Sequence, residues 1–274
     1  MTLPLRCTVR GCSLPLAERG TTLACEAGHA FDRARDGYWN LLQPQDRRSD
    51  DPGDRLEALA ARRRWLSHGF ADGLIETIRG TLASLPLDDA LPKVDVGCGE
   101  GTIATRIGVR PLFGIDLSTS AIRMAARLDP AATWLVANAD RGLPFRDASI
   151  GLAMSIFGRR PAAELARVLR PDGFLLVVVP GPEDLLELRE ATKGRGVLRE
   201  RAPEVIAELS SFTRTRSTAR WTHRARHDRK ALEDALTMTY RGERLPERRR
   251  LEGVESLDVT LSADVLLLCH NPRS

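Results

Sequence analysis

The chain has 274 residues, of which 42% are hydrophobic and 28% charged, enough for one sizeable globular core and a smaller module. Its longest apolar run, residues 174–179, has the length of a strand and is too short for a transmembrane helix. The net charge of +4 permits contact with nucleic acid but does not establish it. Because nothing at the start resembles a signal peptide, we expect a cytoplasmic protein without a membrane segment.

Three of the five cysteines lie close together near the start of the chain, and a histidine follows them. Cys7, Cys12, Cys25 and His29 have the spacing Cys-x4-Cys-x12-Cys-x3-His, which is typical of a zinc knuckle with two tight turns joined by a hairpin. Four protein ligands fill the tetrahedral coordination of Zn²⁺, so the predicted site is structural. A disulfide or unrelated thiols are the alternatives, although three cysteines would leave one thiol unpaired. Such a small module should fold only together with metal binding.

A helix is predicted between this module and the first long apolar pattern. The stretch "DDPGDRLEALAARRRWLSHG", residues 50–69, has Pro52 and Asp54 as start signals and Gly69 as a stop signal.

The stretch "PKVDVGCGEGTIATRI", residues 92–107, predicts a strand, a glycine loop and a helix. The strand ends in Asp95, and the loop contains Gly97, Gly99 and Gly101. Glycines allow the backbone to approach a ligand closely, and the N-terminus of the helix offers free N–H groups. A second strand ends at Asp116, where a carboxylate can accept both hydroxyls of a ribose. The sequence therefore predicts a nucleotide site.

The order Gly-x-Gly-x-Gly after an acidic residue resembles the S-adenosylmethionine site of class I methyltransferases, and differs from the Gly-x-Gly-x-x-Gly of dinucleotide-binding folds. This resemblance implies an α/β fold: a Rossmann-like core with a seven-stranded, mostly parallel sheet. Further strands and a helix over residues 133–180 agree with it, and the alternative is a β/α domain that binds another nucleotide. The implied donor-binding residues are Asp95, Gly97, Cys98, Gly99, Gly101, Asp116, Leu117, Asn138 and Ala139.

The order of the motifs resembles one family more specifically. The knuckle is followed by "FDRARDGYWNLL" (31–42), Asp-Pro-Gly-Asp, Ala-Arg-Arg and the glycine loop, as in the bacterial ribosomal RNA large-subunit methyltransferase A family. That resemblance implies methylation of N1 of a guanine in a hairpin loop of 23S ribosomal RNA, a zinc module that helps to bind RNA, and a homodimer as one option. We therefore expect a zinc-binding RNA-recognition module over 1–45, a helical linker over 46–90 and a methyltransferase domain over 91–274.

Three segments depart from the family pattern. Gly69-Phe70-Ala71 stands where Gly-His-Tyr is usual, Phe157-Gly158-Arg159 where an Ala-Pro pair is usual, and Met238-Thr239-Tyr240 where Met-x-Pro is usual. In this fold the segment after the fourth strand lies beside the transferred methyl group. The alternatives are therefore a shifted RNA or small-molecule target, or a non-catalytic RNA-binding protein that keeps the donor pocket. No catalytic side chain can be named from the sequence.

One basic stretch gives a signal that is independent of the family. All five arginines of residues 213–226 stand at even-numbered positions, namely Arg214, Arg216, Arg220, Arg224 and Arg226. As a strand, this pattern would place all five on one face, and the resemblance to class I methyltransferases implies that it is the sixth strand of the core, at the edge of the sheet. Such a row could follow RNA phosphates, protect the edge against aggregation, or pair with acidic residues of nearby helices.

Overall fold

The computed structural model describes residues 3–43, 45, 53–239 and 251–271. Its centre is a mixed sheet with the spatial order β10-β11-β9-β8-β5-β6-β7-β4. Strands β4 to β9 run parallel, and β11 and β10 are antiparallel additions. These strands are β4 (Trp39–Asn40), β5 (Lys93–Val96), β6 (Leu112–Asp116), β7 (Thr133–Val136), β8 (Ile150–Ile156), β9 (Leu169–Pro180), β10 (Thr213–Asp228) and β11 (Ser256–His270). The predicted α/β class and mostly parallel sheet are confirmed, and β4 adds one short strand to the expected seven.

Helices connect and cover these strands, as parallel neighbours require. They are α1 (Leu56–Ser67), α2 (Asp72–Ala83), α3 (Thr102–Ile107), α4 (Thr119–Leu128), α5 (Ala162–Val168), α6 (Leu186–Lys193), α7 (Ala202–Leu209) and α8 (Arg229–Thr237). The predicted linker helix corresponds to α1, and Gly69 follows its end with a left-handed φ of +79°, whereas Pro52 lies outside the described residues. Within the described ranges, every helix is too short or too polar to cross a membrane.

Two apolar clusters fill the two faces of the sheet. The first contains Trp134 and Trp65 and packs α1, α2 and α8 against the sheet. The second joins the N-terminal module to the sheet, because Leu5 and Phe31 lie in the same cluster as Phe145 of the core. That module consists of the antiparallel strands β1 (Ala17–Arg19), β2 (Thr22–Ala24) and β3 (Ala30–Asp32). The module and the core therefore share buried apolar surface.

The arginine-rich stretch forms β10 and lies at the edge of the sheet, as expected for the sixth core strand. The prediction that its five arginines share one face is wrong. Arg214 is opposite Cys269, whereas Arg220 is opposite Asp264, and the register shifts between Thr215 and Ser217. Since directly opposed residues lie on the same face, the bulge at residue 216 moves Arg214 to the other face. Arg220, Arg224 and Arg226 remain together.

Candidate functional site

The four predicted metal ligands come together in the N-terminal module. All their ligand atoms lie within 4.8 Å of one another. The Sγ atoms of Cys12 and Cys25 are 3.8 Å apart, and Nδ1 of His29 is 3.5 Å from Sγ of Cys7 and of Cys25. A tetrahedral zinc ion with ordinary bond lengths requires edges of about 3.8 Å between two sulfurs and about 3.6 Å between sulfur and nitrogen. The donor set and its spacing therefore fit Zn²⁺.

Tight turns hold these ligands in place. Gly11 and Gly28 have φ values of +77° and +84°, a backbone conformation that glycine adopts without strain. Each turn is closed by a backbone hydrogen bond, from Cys12 N–H to Val9 O (3.0 Å) and from Gly28 N–H to Cys25 O (3.1 Å). These turns thus present the ligands in two pairs, and all four positions of the ion would be filled by protein.

The glycine loop joins β5 to α3 through three left-handed residues. Gly97, Gly99 and Gly101 have φ values of +77°, +56° and +78°. A side chain at Gly97 would begin 3.2 Å from Cα of Gly158, and one at Gly101 would lie 2.7 Å from the ring of Trp134. The glycines therefore allow the segment after β8 and the indole of β7 to pack directly against the loop, which fixes its path.

Asp95 is a buried carboxylate with unused hydrogen-bonding capacity. It lies in β5, is 2% exposed, and its Oδ1 has no partner among the described residues. Burial raises the pKa of Asp95 to about 7, and the nearby Arg62 opposes this rise. Buried polar atoms are normally paired, so this carboxylate oxygen near the end of a strand is suited to accept a hydrogen bond from a cationic or N–H group of a ligand.

Asp116 closes the opposite side of the loop. Its Oδ2 accepts a hydrogen bond from Gly99 N–H at 2.9 Å, and its Oδ1 accepts one from Ser118 N–H at 2.8 Å. Burial raises the pKa of Asp116, and these two N–H groups work against that rise. A carboxylate has about four acceptor positions, so two remain for the hydroxyls of a ribose. Asp116 can therefore hold both the loop and a ligand.

The other residues predicted to bind the methyl donor lie at the same edge of the sheet. Leu117 follows β6, and Asn138 and Ala139 follow β7. The Oδ1 of Asn138 accepts the Asp140 N–H at 3.1 Å. Cys98 is buried, and this burial raises the pKa of its thiol, so it serves as packing in the loop. Ligands of open α/β sheets bind outside the carboxyl ends of the strands, and the structure brings the nine residues to this edge.

Arg62 was not predicted and lies directly over the loop. It comes from α1, and its Nε is 3.7 Å from Oε2 of the buried Glu100. Its Nη1 would be 3.0 Å from a Cβ placed on Gly99. Burial alone would lower the pKa of Arg62, but the carboxylates of Glu100, Asp54, Asp116 and Asp95 more than offset it and raise the pKa. In the sequence, Arg62 belongs to the Ala-Arg-Arg motif, and this motif alone does not indicate that the residue contacts a ligand.

The charges around this loop match S-adenosylmethionine. The four carboxylates near Arg62 suit the sulfonium and amino groups of the donor, and the guanidinium of Arg62 suits its carboxylate. The left-handed glycines leave a backbone cradle beside them. The residues present therefore fit this cofactor.

The three segments that depart from the family pattern have different surroundings. Phe157-Gly158-Arg159 lies against the donor loop, because a Cβ on Gly158 would be 2.5 Å from Val96 O. Phe70 instead stacks on His227 with a centroid distance of 4.0 Å, within the cluster that contains Trp65. Tyr240 lies outside the described residues. The segment after β8 therefore borders the site.

Comparisons with known proteins decide the family. Residues 5–50 match the family described as "RlmA, N-terminal", a zinc ribbon, and residues 94–177 match "Methyltransferase domain". A Streptomyces fradiae protein named 23S rRNA (guanine(748)-N(1))-methyltransferase is 38% identical over 72% of this chain and 69% of its own length. The chain belongs to the RlmA family. A Bacillus subtilis relative, whose assignment to 23S rRNA guanine-N1 methylation is itself provisional, is 30% identical over 96% of this chain and 95% of its own.

Solved structures agree on the fold of this RlmA-family protein. The YcgJ protein of Bacillus subtilis superposes with a TM-score of 0.51 at 17% identity, covering 73% of this chain and 98% of its own. The BH2331 protein of Bacillus halodurans gives 0.50 at 13% identity, with the same coverage. At such identities the likeness concerns the fold alone. Together with the domain match, it establishes a class I methyltransferase core with S-adenosylmethionine as cofactor and a zinc ribbon in front of it.

Proposed function

We propose that the protein methylates N1 of a guanine in a hairpin loop of 23S ribosomal RNA. The observation that carries the proposal is the combination, in one chain, of an RlmA-type zinc ribbon and a methyltransferase domain. The relative from Streptomyces fradiae, which is named a 23S rRNA guanine-N1 methyltransferase, aligns over 69% of its length. A ribosomal RNA substrate would also place the protein in the cytoplasm.

The donor site has one polar group for each part of S-adenosylmethionine. Asp95 would accept from the amino group, Arg62 would bind the carboxylate, Asp116 would accept from the ribose hydroxyls and Asn138 would accept from the adenine amino group. This assignment uses the orphaned oxygen of Asp95 and the position of Arg62 over the loop. The cofactor would supply a methyl group already activated by a sulfonium, so the protein needs chiefly to align acceptor, methyl and sulfur and to exclude water. As the bond from N1 to the methyl carbon forms and the bond from that carbon to sulfur breaks, S-adenosylhomocysteine leaves and the proton of N1 passes to a base or to solvent.

The zinc ribbon serves RNA recognition in this proposal. Residues 1–45 form the zinc-binding module, 46–90 the helical linker and 91–274 the methyltransferase domain. The module is anchored to the core by the bridge between Leu5 and Phe145 and by the pair of Arg6 with Glu164 at 3.3 Å. This anchoring would present the ribbon and the donor site to one RNA. A homodimer, which the family resemblance raises, is tested by light scattering at several protein concentrations.

The test is methyl transfer to ribosomal RNA from a strain that lacks the enzyme. Labelled S-adenosylmethionine is supplied, and the modified nucleotide is identified by mass spectrometry. We expect label in 23S rRNA, as 1-methylguanosine at a single position, and a block to reverse transcription there. The variant Asp95→Asn, which removes the carboxylate facing the amino group of the donor, should abolish the signal, while Asp89→Asn, outside the site, should leave it intact.

The outcome separates this proposal from its alternatives. Label at another nucleotide, or in a small molecule only, would show a shifted target. Binding of RNA without any methyl transfer would show an RNA-binding protein that retains the donor pocket. Either result contradicts the proposal.

A further inference from the structure

Two polar contacts fix helix α1 to the C-terminal part of the chain. Nε1 of Trp65 donates a hydrogen bond to Nε2 of His227 at 3.1 Å. The guanidinium of Arg64 donates two hydrogen bonds to the carboxylate of Asp234, at 3.0 Å and 2.5 Å. The partners lie 162 and 170 residues further along the chain, at the end of β10 and in α8. These four residues are called the α1 clamp below.

The α1 clamp is largely buried. Trp65, His227 and Asp234 are all buried. Nδ1 of His227 lies 3.0 Å from Ala225 O, and because Nε2 accepts from the indole, Nδ1 carries the proton and donates to this carbonyl. Burial of polar groups costs free energy, and apolar residues of similar volume often leave stability unchanged in place of a buried polar pair. Stability alone therefore does not explain why polar groups occupy this interface.

Polar contacts fix the rotation and the axial position of a helix more strictly than apolar contacts do. The buried apolar residues of α1 include Leu59, Ala61 and Leu66. Their attraction has no preferred direction, whereas hydrogen bonds weaken steeply as their angle and distance change. If α1 rotated or slid by a fraction of a turn, both contacts of the α1 clamp would break while apolar contact remained.

Arg62 stands one turn before Trp65 on the same helix. Its Nε is 3.7 Å from Oε2 of Glu100, and its Nη1 lies over Gly99 of the donor loop. Residues three apart on a helix lie on the same side of it, so a shift of α1 at Trp65 moves Arg62 as well. A misplacement of about 1 Å can cost about 100-fold where function depends on geometry. The position of this guanidinium is therefore sensitive to how α1 is held.

We propose that the α1 clamp holds Arg62 in the position in which it binds the carboxylate of S-adenosylmethionine. Its four members act through Arg62 and are positioning residues of the donor site. The inference rests on the assignment of Arg62 made in the proposed function. It makes donor affinity depend on β10 and α8, which lie outside the methyltransferase-domain match over residues 94–177.

Calorimetry with two ligands, in the absence of RNA, tests this inference. Trp65→Phe removes the indole N–H and keeps an aromatic ring, and Arg64→Gln removes the charge that faces Asp234. Each should weaken binding of S-adenosylhomocysteine by about 5-fold or more, but by no more than Arg62→Gln does. Decarboxylated S-adenosylmethionine lacks the group that Arg62 binds, so its affinity should stay within about 2-fold of wild type.

The Arg62→Gln background separates positioning from a general structural role. If the α1 clamp acts through Arg62, adding Trp65→Phe to Arg62→Gln should cause no further loss of affinity for S-adenosylhomocysteine, because changes that act through one group are not additive. If Trp65 only stabilises the fold, the two losses should add. Additive losses would overturn the inference.

Arg110→Gln is the matched control for Arg64→Gln. Arg110 pairs with Asp129 at 2.6 Å, and the exposed fractions of these side chains, 42% and 7%, are close to the 47% and 6% of Arg64 and Asp234. Arg110 lies just before β6, at the edge of the sheet opposite the donor loop. Both variants should lower the melting temperature to a similar extent, and only Arg64→Gln should weaken binding of S-adenosylhomocysteine.

Two further results would contradict the α1 clamp. One is wild-type affinity for S-adenosylhomocysteine in both Trp65→Phe and Arg64→Gln, and the other is an equal loss in Arg110→Gln. All these measurements use purified protein without RNA. Failure of the wild-type protein to methylate 23S rRNA, with donor binding intact, would therefore overturn the proposed function and leave the positioning of Arg62 standing.

Discussion

Replacing Arg62 with glutamine tests how the donor is held. Arg62 comes from α1, outside the glycine loop, and its guanidinium lies over Gly99 and 3.7 Å from Glu100. In the proposed site this group binds the carboxylate of S-adenosylmethionine. Glutamine keeps part of the length and polarity of the side chain but removes its charge, so the change affects chiefly the electrostatics of the site.

The expected change has opposite signs for two kinds of ligand. S-adenosylhomocysteine carries the carboxylate, and hydrogen bonds between charged groups contribute about 1.5–3 kcal/mol. Its affinity should therefore fall by about 10-fold to 150-fold in Arg62→Gln. Decarboxylated S-adenosylmethionine is a cation without that group. Since Arg62 repels it and the surrounding carboxylates attract it, its affinity should stay constant or rise.

Isothermal titration of both ligands measures this reversal. Arg63→Gln is the matched control, because Arg63 is the next residue of the same helix and is exposed; it should leave both affinities unchanged. Arg62→Lys should recover part of the loss for S-adenosylhomocysteine, as it restores the charge without the planar fork. An equal loss for both ligands would refute the reasoning, since it would mean that Arg62 only supports the loop.

Four further changes test other parts of the molecule. Cys25→Ser should reduce zinc from about one per chain by metal analysis, and retained zinc would contradict the ligand set. Asp116→Ala should weaken donor binding in calorimetry by about 10-fold to 150-fold, through the lost charged hydrogen bonds, and NAD should not bind. Burial lowers the pKa of His227, so its contribution to stability is complete above about pH 6.5 and is lost as the pH falls below that value; His227→Gln should flatten this loss in urea denaturation. Arg220→Gln should lower the free energy of unfolding by about 1–2 kcal/mol, because the buried Asp264 loses its cation.

The parts of the site that the sequence predicts are those in which neighbouring residues act together. The spacing of Cys7, Cys12, Cys25 and His29 gives the metal cluster, since two turns and one hairpin bring the ligands together. The glycine loop is likewise a local feature, with its strand, turn and helix in direct succession. In both cases the residues that act together are close in the sequence, so few backbone conformations are compatible with their spacing.

Residues that reach the site from a distance leave no such pattern. Arg62 is separated from the loop by α2, and its role depends on how α1 packs on the sheet. Phe157 and Phe70 looked equivalent as departures from a family pattern, yet one borders the donor loop and the other stacks on His227 in the core. Only the tertiary packing distinguishes an aromatic residue at a site from one in the apolar interior.

The same packing changes the expected effect of losing zinc. A knuckle that folded independently would unfold without disturbing the remainder of the chain. Here Leu5, Leu23 and Phe31 lie in one buried cluster with Phe113 and Phe145 of the core. Loss of the metal would expose part of the sheet face together with the module, so Cys25→Ser should lower the melting temperature of the whole protein and not only of its first residues.

In the edge strand β10, one bulge residue changes which arginines share a face. Strict alternation placed five arginines in a row, but the bulge at residue 216 divides them between the two faces. Of those that remain together, Arg220 contacts the buried Asp264 at 2.7 Å and Glu200 at 2.9 Å, and Arg226 donates to Ser256. An RNA phosphate would have to compete with these contacts. Among the alternatives for this strand, pairing with acidic residues thus has the geometric support, although these partners lie on the neighbouring strand β11 and just before α7, and not on helices.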